Sequence, residues 1–399
     1  MKLYEGNMYW PTTKKSIKYD SLNENIDTDI AIIGAGMSGI LCGYELAKRG
    51  HEVVLVEAEE IAKGSSSANT GLLQYSSDKM LYEFIDELGK ENAVLFYRMC
   101  HEAMKDLKAL SEKLPQRGDF VTRNSLYLAS KIEDITKLKK EYKALLENDF
   151  PVEYIDSKAL EIDYGIKGTE ALLTKEDAEV NPYKFILEIS EEAVRLGLDI
   201  FENSKVLDID KSDDCFIIKT KDGSIKAKKL VYATGYKAND YSEIKDGEIN
   251  RTYALATEPI SGDSWKDRCL IWETARPYFY ARMTEDNRII LGGEDEEKGS
   301  VTNSEEKLQK NTLKLLEKLT KLFPHIETKI EYSWNAVFGE SDDGIPFIGR
   351  DTDDKDVYCC LGFGGNGTVY SMAGSKIIAD LIEGKSNKYA HIVSLDRQG

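Results

Sequence analysis

The chain has 399 residues, enough for two or three hydrophobic cores at ~100–200 residues per domain, and its formal net charge of −18 opposes approach to phosphate backbones or anionic lipid, so no nucleic acid partner is expected. Six cysteines occur without a CxxC pair, which excludes a spelled-out zinc cage or dithiol redox motif and fits reduced thiols in a cytoplasm. The N-terminus lacks the apolar run of a signal peptide, and the longest uncharged apolar stretch, residues 30–44, is glycine-rich and below the ~20 residues that span a bilayer, so a soluble cytoplasmic protein without a membrane span is expected.

In chain order, residues 28–33 read as a buried strand, 37–49 as a helix ending at Gly50, and 52–57 as a second strand, together one βαβ unit. Tyr97, Cys100, Met104 and Leu107 recur at helical spacing, as do Ile135, Leu138, Tyr142 and Leu145, and both sets predict amphipathic surface helices. In "NPYKFILEISEEAVRLG" Asn181 is the N-cap, Pro182 the first helical residue and Gly197 the stop. "SKVLDID", "CFIIKT" and "SIKAKK" read as short strands with a hairpin signal at "KDG", and "KLVYATGY" as a further strand. From Arg251 to about Phe338 come spaced β runs and a charged helix at 305–322, a separate antiparallel layer. The last segment returns to strand, glycine loop and helix.

The sequence GxGxxG occurs twice, at Gly34, Gly36 and Gly39 and at Gly362, Gly364 and Gly367. The first has a strand before it, a helix after it and Glu57 at the end of the next strand. There Gly34 makes the tight turn, Gly36 admits a pyrophosphate, Gly39 lets helix and strand pack closely, and Glu57 accepts from ribose hydroxyls. Too little chain follows the second hexad for a complete dinucleotide fold. Its amides and the helix after it favour negative charge nearby, so one dinucleotide site is expected rather than two.

Taken in order, "DIAIIGAGMSGILCGYELAKRGHEVVLVEAEEIAKGSSSANTGLLQ", "NPYKFI", "LVYATGY", "LATEPI", "RPYFYARMTEDNRIILGGEDEE", "DGIPFIG" and "LGFGGNGTVYSMAGSKIIADLIEGK" resemble the FAD-dependent oxidoreductases of the D-amino acid oxidase type, with glycine oxidase and sarcosine oxidase among them. The resemblance runs from about residue 28 to residue 385. It implies an α/β protein: a Rossmann-like, doubly wound FAD domain with a β-meander, built from residues 26–90, 155–245 and 336–392, and an α+β substrate domain with an antiparallel sheet, residues 91–154 and 246–335. On that template Gly34, Ala35, Gly36, Met37, Ser38, Gly39, Glu57, Ala58, Ser65 and Ser66 line the ADP half, and Val206 touches the adenine. Ala233, Thr234 and Gly235 close over the ribityl chain, while Gly362, Gly364, Gly365, Asn366, Gly367 and Thr368 lie by the flavin ring. Both hexads then serve one FAD. Asn366 stands where some relatives have histidine, and "WNAVFGESDDG" has no cysteine where some sarcosine-oxidase-like members tether the flavin, so non-covalent FAD is expected.

In "RPYFYARM" the strand period puts Tyr278, Tyr280 and Arg282 on one face. Such a face suits a substrate carboxylate, Arg282 binding it bidentately, or is a solvent face opposite a core face; the family resemblance favours the first. None of the four histidines falls in a triad or metal pattern, and Cys359 and Cys360 read as packing. The function expected is oxidation of the C–N bond of a small-molecule amine or amino acid, with imine hydrolysis and reoxidation by dioxygen or another acceptor. Alternatives are C–O oxidation of a 2-hydroxy acid or glycerol 3-phosphate on the same scaffold, a flavin-binding RNA-modification module, and a non-catalytic flavoprotein subunit. The sequence assigns no oligomeric state.

Overall fold

The near-continuous Val/Ile/Leu runs of a parallel sheet buried on both faces appear here in one of two sheets. The computed structural model describes residues 3–212, 214–235, 248–261, 264–296, 304–361 and 363–397. Asn25–Ile33 lies parallel between Val53–Val56 and Ser224–Tyr232, and Leu198–Phe201 and Val357–Leu361 extend the parallel array on either side. Phe347–Arg350 closes one edge antiparallel. Ile30, Ile32, Val53 and Leu55 face the helices Met37–Lys48, Pro182–Arg195 and Gly367–Ile382, whereas Ala31, Ile33, Val54 and Val56 face the meander strands. This is the strand period of two read out as two cores.

The second sheet has ten strands in the order Tyr4–Asn7, Ile330–Glu340, Glu248–Thr257, Ile289–Glu296, Phe279–Met283, Leu270–Glu273, Val121–Leu128, Ala171–Glu179 and Leu72–Leu73, with Val152–Ile155 also on Ala171–Glu179. One face packs Leu126, Leu173, Leu255, Phe279 and Leu291 under the helix Glu305–Leu322, through Leu308, Leu315 and Leu319. The other face turns toward the first sheet, and among the described residues an isolated backbone bridge, Glu340 to Phe363, stitches the two layers beside the last glycine loop.

Several expectations need correction. Ala171–Glu179 and Leu72–Leu73 lie within stretches assigned to the FAD domain but pair in the second sheet, and the boundary at 336 cuts the strand Ile330–Glu340. Partners far apart in sequence fix these memberships, and no local pattern carries them. "SIKAKK" and "KLVYATGY" are one strand, Ser224–Tyr232, whose first half alternates buried Ile225 and Ala227 with exposed Lys226 and Lys228, and whose second half is covered on both faces. In "SKVLDID" only the end enters a strand, Asp208–Lys211. The helix Lys90–Ser111 is no surface helix: Phe96, Tyr97, Cys100 and Met104 are buried because it is wedged between Leu81–Leu88 and Gly367–Ile382.

Candidate active site

A cleft of about 1830 Å³ opens beyond the carboxyl ends of the parallel strands, lined by Ile33, Val56 and Ala233 there and running across to the inner face of the ten-stranded sheet. Ligands of open α/β sheets bind at this end of the strands. Gly34 turns the chain at φ +104°, where a Cβ would stand 2.5 Å from the Ala233 carbonyl oxygen, and a Cβ on Gly39 would come within 1.8 Å of the Gly34 carbonyl oxygen. Only glycine permits that turn and that contact. Gly36, Met37 and Ser38 present the start of the helix to the cleft, with the Met37 N–H donating to Ser66 Oγ at 3.1 Å. Glu57 is fixed by two backbone donors, Ala35 N–H at 2.8 Å and Glu59 N–H at 2.9 Å.

Of the other residues expected at the cofactor, Ala58, Ser65, Ser66, Val206, Ala233, Thr234, Gly235, Gly364, Gly365, Asn366, Gly367 and Thr368 line the same cleft. Ala35 and Gly39 lie just behind its wall, and Gly362 lies outside the described residues. Asn366 donates from Nδ2 to the Gln74 carbonyl at 2.7 Å, tying the late glycine loop to the segment after the first serines. Thr234 Oγ1 and Gln74 Nε2 are buried without a partner among the described residues. A glycine cradle open to the cleft, a carboxylate held at the strand end and unpartnered polar atoms along the floor fit an FAD. Lys63 and Lys205 also line this half, and no motif marks them.

The wall opposite the glycine cradle comes from the second sheet. Tyr278 and Tyr280 line the cleft as expected from their spacing, together with Trp272, Asn250 and Thr252. Arg282 does not line it. The strand face continues past the cleft, and the Arg282 guanidinium lies 3% exposed beneath the chain at Thr70 and Gly71. It donates to the carbonyls of Thr70 (2.7 Å), Val180 (2.6 Å) and Met283 (3.2 Å), stands 3.9 Å from Glu179 and stacks on Trp10. Burial pulls its pKa below the usual arginine range, and Glu179 opposes that shift. With its donors spent on main chain, it pins the segment that presents Asn69, Thr70 and Leu72 to the cleft. The arginine that does line the cleft is Arg276, which shares the strand parity of Arg282; it is exposed, stacks 3.3 Å from the Tyr278 ring centroid and donates to the Asp78 carbonyl at 3.2 Å.

Three carboxylates absent from the sequence reading meet here. A Cβ on Gly365 would touch Asp78 Oδ2 at 2.6 Å and one on Gly364 would lie 3.6 Å from Glu340, so these two acids flank the late glycine loop, while Asp295 stands on the sheet near Thr252. Desolvation raises all three, Asp78 adding to the rise of Asp295 and Glu340 and Asp295 to that of Glu340, with Arg276 opposing it: Asp295 to about 6, Glu340 to about 7, and Asp78 above its ordinary range. They come from loops and strand ends distant in sequence, so no spacing announces them.

The fold and this cleft define a two-domain dinucleotide-binding oxidoreductase. The chain belongs to the FAD dependent oxidoreductase (DAO) family, whose profile matches residues 29–381. Relatives include the putative Rieske 2Fe-2S iron-sulfur protein YhfW of Bacillus subtilis, 25% identical over 98% of this chain and 75% of that protein. The gamma-glutamylputrescine oxidoreductase of Escherichia coli is 25% identical over 99% of this chain and 93% of that one. Among solved structures, glycine oxidase from Geobacillus kaustophilus superposes with a TM-score of 0.81 at 20% identity, covering 93% of this chain and 99% of that chain. Among the described residues no helix is long and apolar enough to cross a membrane, and no cluster of potential metal ligands occurs.

Proposed function

We propose that this FAD-dependent oxidoreductase oxidises the carbon–nitrogen bond of a small-molecule amine or amino acid, with non-covalent FAD in the glycine cradle and the substrate against Tyr278, Tyr280 and Trp272. The carrying observation is that one continuous cleft joins the cradle to this aromatic wall and its ionisable groups. When bound, FAD supplies the acceptor for the hydride leaving the carbon that bears nitrogen, the hard chemistry being the cofactor's. The aromatic wall positions the carbon skeleton and excludes water. An alkylammonium must first lose a proton, and Glu340, raised to about 7 by burial and its acidic neighbours, is matched to take it on a carboxylate oxygen near neutral pH. Arg276 is the cation on hand for a substrate carboxylate, in place of Arg282. Non-covalent attachment is supported by the lining itself, which draws on none of the six cysteines or four histidines.

The test is anaerobic mixing of the yellow holoprotein with amines, amino acids, 2-hydroxy acids and glycerol 3-phosphate, followed by air. Loss of flavin absorbance with amines or amino acids is the expected result, and the speed of colour return distinguishes dioxygen from another acceptor. Bleaching by hydroxy compounds alone would reverse the assignment. Acid precipitation should leave FAD in the supernatant, and flavin that stays with the pellet overturns the non-covalent attachment.

A further inference from the structure

The sheet side of the cleft carries more negative charge than the oxidation of a simple amine requires. Among the described residues most buried or half-buried acids have a basic partner, as Glu294 has Lys314, Asp343 has Arg397 and Glu179 has Arg123, while the buried Glu141, Asp177 and Glu202 accept from backbone N–H or hydroxyl groups. Among the described residues, Asp78, Asp295 and Glu340 are not within ion-pair distance of any lysine or arginine, although Asp78 raises the pKa of the other two and Asp295 that of Glu340. Lys79, at the rim, is engaged by Glu87 at 2.6 Å, and Arg276 is spread over the Tyr278 ring at the exposed edge. Two acceptors on this wall, Asp295 Oδ1 and Asn250 Oδ1, are buried with no donor among the described residues. A buried acceptor left unpaired costs free energy that a ligand's N–H group recovers, most of all when that donor is charged. The walls beside them are the faces of Tyr280 and Trp272, surfaces that attract alkylammonium groups.

Asp78 and Glu340 flank the late glycine loop, and Asp295 comes from a different element, the strand Ile289–Glu296, beside Thr252. We infer that the substrate carries two basic nitrogens: one at the reacting carbon beside Glu340 and Asp78, and a second, permanently cationic, held by Asp295 and Asn250. The substrate class is therefore an alkyl diamine, or an amino acid with a basic side chain whose carboxylate meets Arg276. Asp295 is the specificity-determining residue, discriminating by charge rather than by size. This rests on the C–N oxidation proposed above.

The experiment uses the holoenzyme and two chain-matched pairs under anaerobic flavin reduction: 1,4-diaminobutane against n-butylamine, and lysine against norleucine. In at least one pair the dicationic member should reduce the flavin with a kcat/KM about tenfold or more above its partner, the scale of one charge-assisted hydrogen bond. Asp295→Asn should collapse that ratio toward one, mainly through KM, while flavin content and spectrum report an intact fold. Equal rates within both pairs, faster reduction by the monocations, or an Asp295→Asn enzyme that keeps the ratio would each overturn the inference. If norleucine, glycine or proline is oxidised without a cationic preference, C–N oxidation stands and the second-nitrogen inference alone fails. If only hydroxy acids bleach the flavin, both fall. Should Asp295→Asn lose flavin, the wild-type pairs still decide.

Discussion

Removing Arg282 is expected to damage the architecture rather than the selectivity. Arg282→Ala deprives the carbonyls of Thr70, Val180 and Met283 of donors and removes the cation 3.9 Å from Glu179 Oε2, while Arg123 stays on Oε1 at 2.9 Å. Each buried acceptor left unsatisfied costs about 1–3 kcal/mol, so two or three of them cost roughly 3–5 kcal/mol. A melting entropy of roughly 2.1 cal/mol/K per residue over 399 residues converts this to a fall in Tm of about 4–6 °C. Arg282→Lys should lose about half as much, since an ammonium retains the charge but cannot span three carbonyls in a fixed fork. Thermal unfolding of the holoprotein followed by flavin fluorescence measures the stability, and kcat/KM on carboxylate and uncharged amines measures the selectivity. Both substrate classes should fall together as the Thr70 segment loosens. An unchanged Tm with KM raised for carboxylate substrates alone would refute the reasoning and return Arg282 to the substrate.

Arg276→Ala, by contrast, should leave Tm within about 1 °C, as expected for an exposed side chain, and should raise KM selectively for carboxylate-bearing substrates in the same kinetic panel. Glu57→Gln should weaken FAD by about tenfold in titrations of apoprotein, because both carboxylate oxygens accept backbone N–H groups and an amide must turn a donor toward one of them. Gly39→Ala should yield colourless or insoluble protein, its Cβ having only 1.8 Å to the Gly34 carbonyl oxygen; the ratio of flavin to protein absorbance reads this out. Because Glu340 is raised to about 7, with Asp78, Asp295, Arg276 and Lys79 facing it, the folded state binds its proton more tightly than the unfolded state. Stability of the apoprotein from this group should therefore fall as pH rises from about 4.5 through 7, and Glu340→Gln should raise Tm more at pH 8 than at pH 5.

Much of the cofactor half was legible because its signals are local. The turn at Gly34, the helix from Met37, the acid ending the next strand and the capped helix Pro182–Arg195 all lie within short windows, where backbone sterics and hydrogen bonding to near neighbours dictate the outcome. The substrate half was less so. Strand parity put Tyr278 and Tyr280 on the face that lines the cleft but could not say where along that face the cleft ends, which is why Arg276 and not Arg282 lines it.

Composition and motif spacing thus determined an FAD-binding α/β protein with a strand, glycine turn and helix followed by an acid-ended strand, and a separate antiparallel layer, since each of those features is written in contacts a few residues long. Tertiary structure alone decided which strands join the second sheet, which arginine reaches the cleft, and that Asp78, Asp295 and Glu340 converge there. Long-range strand pairing and desolvation act between residues far apart along the chain, and neither exists until the two layers close on one another.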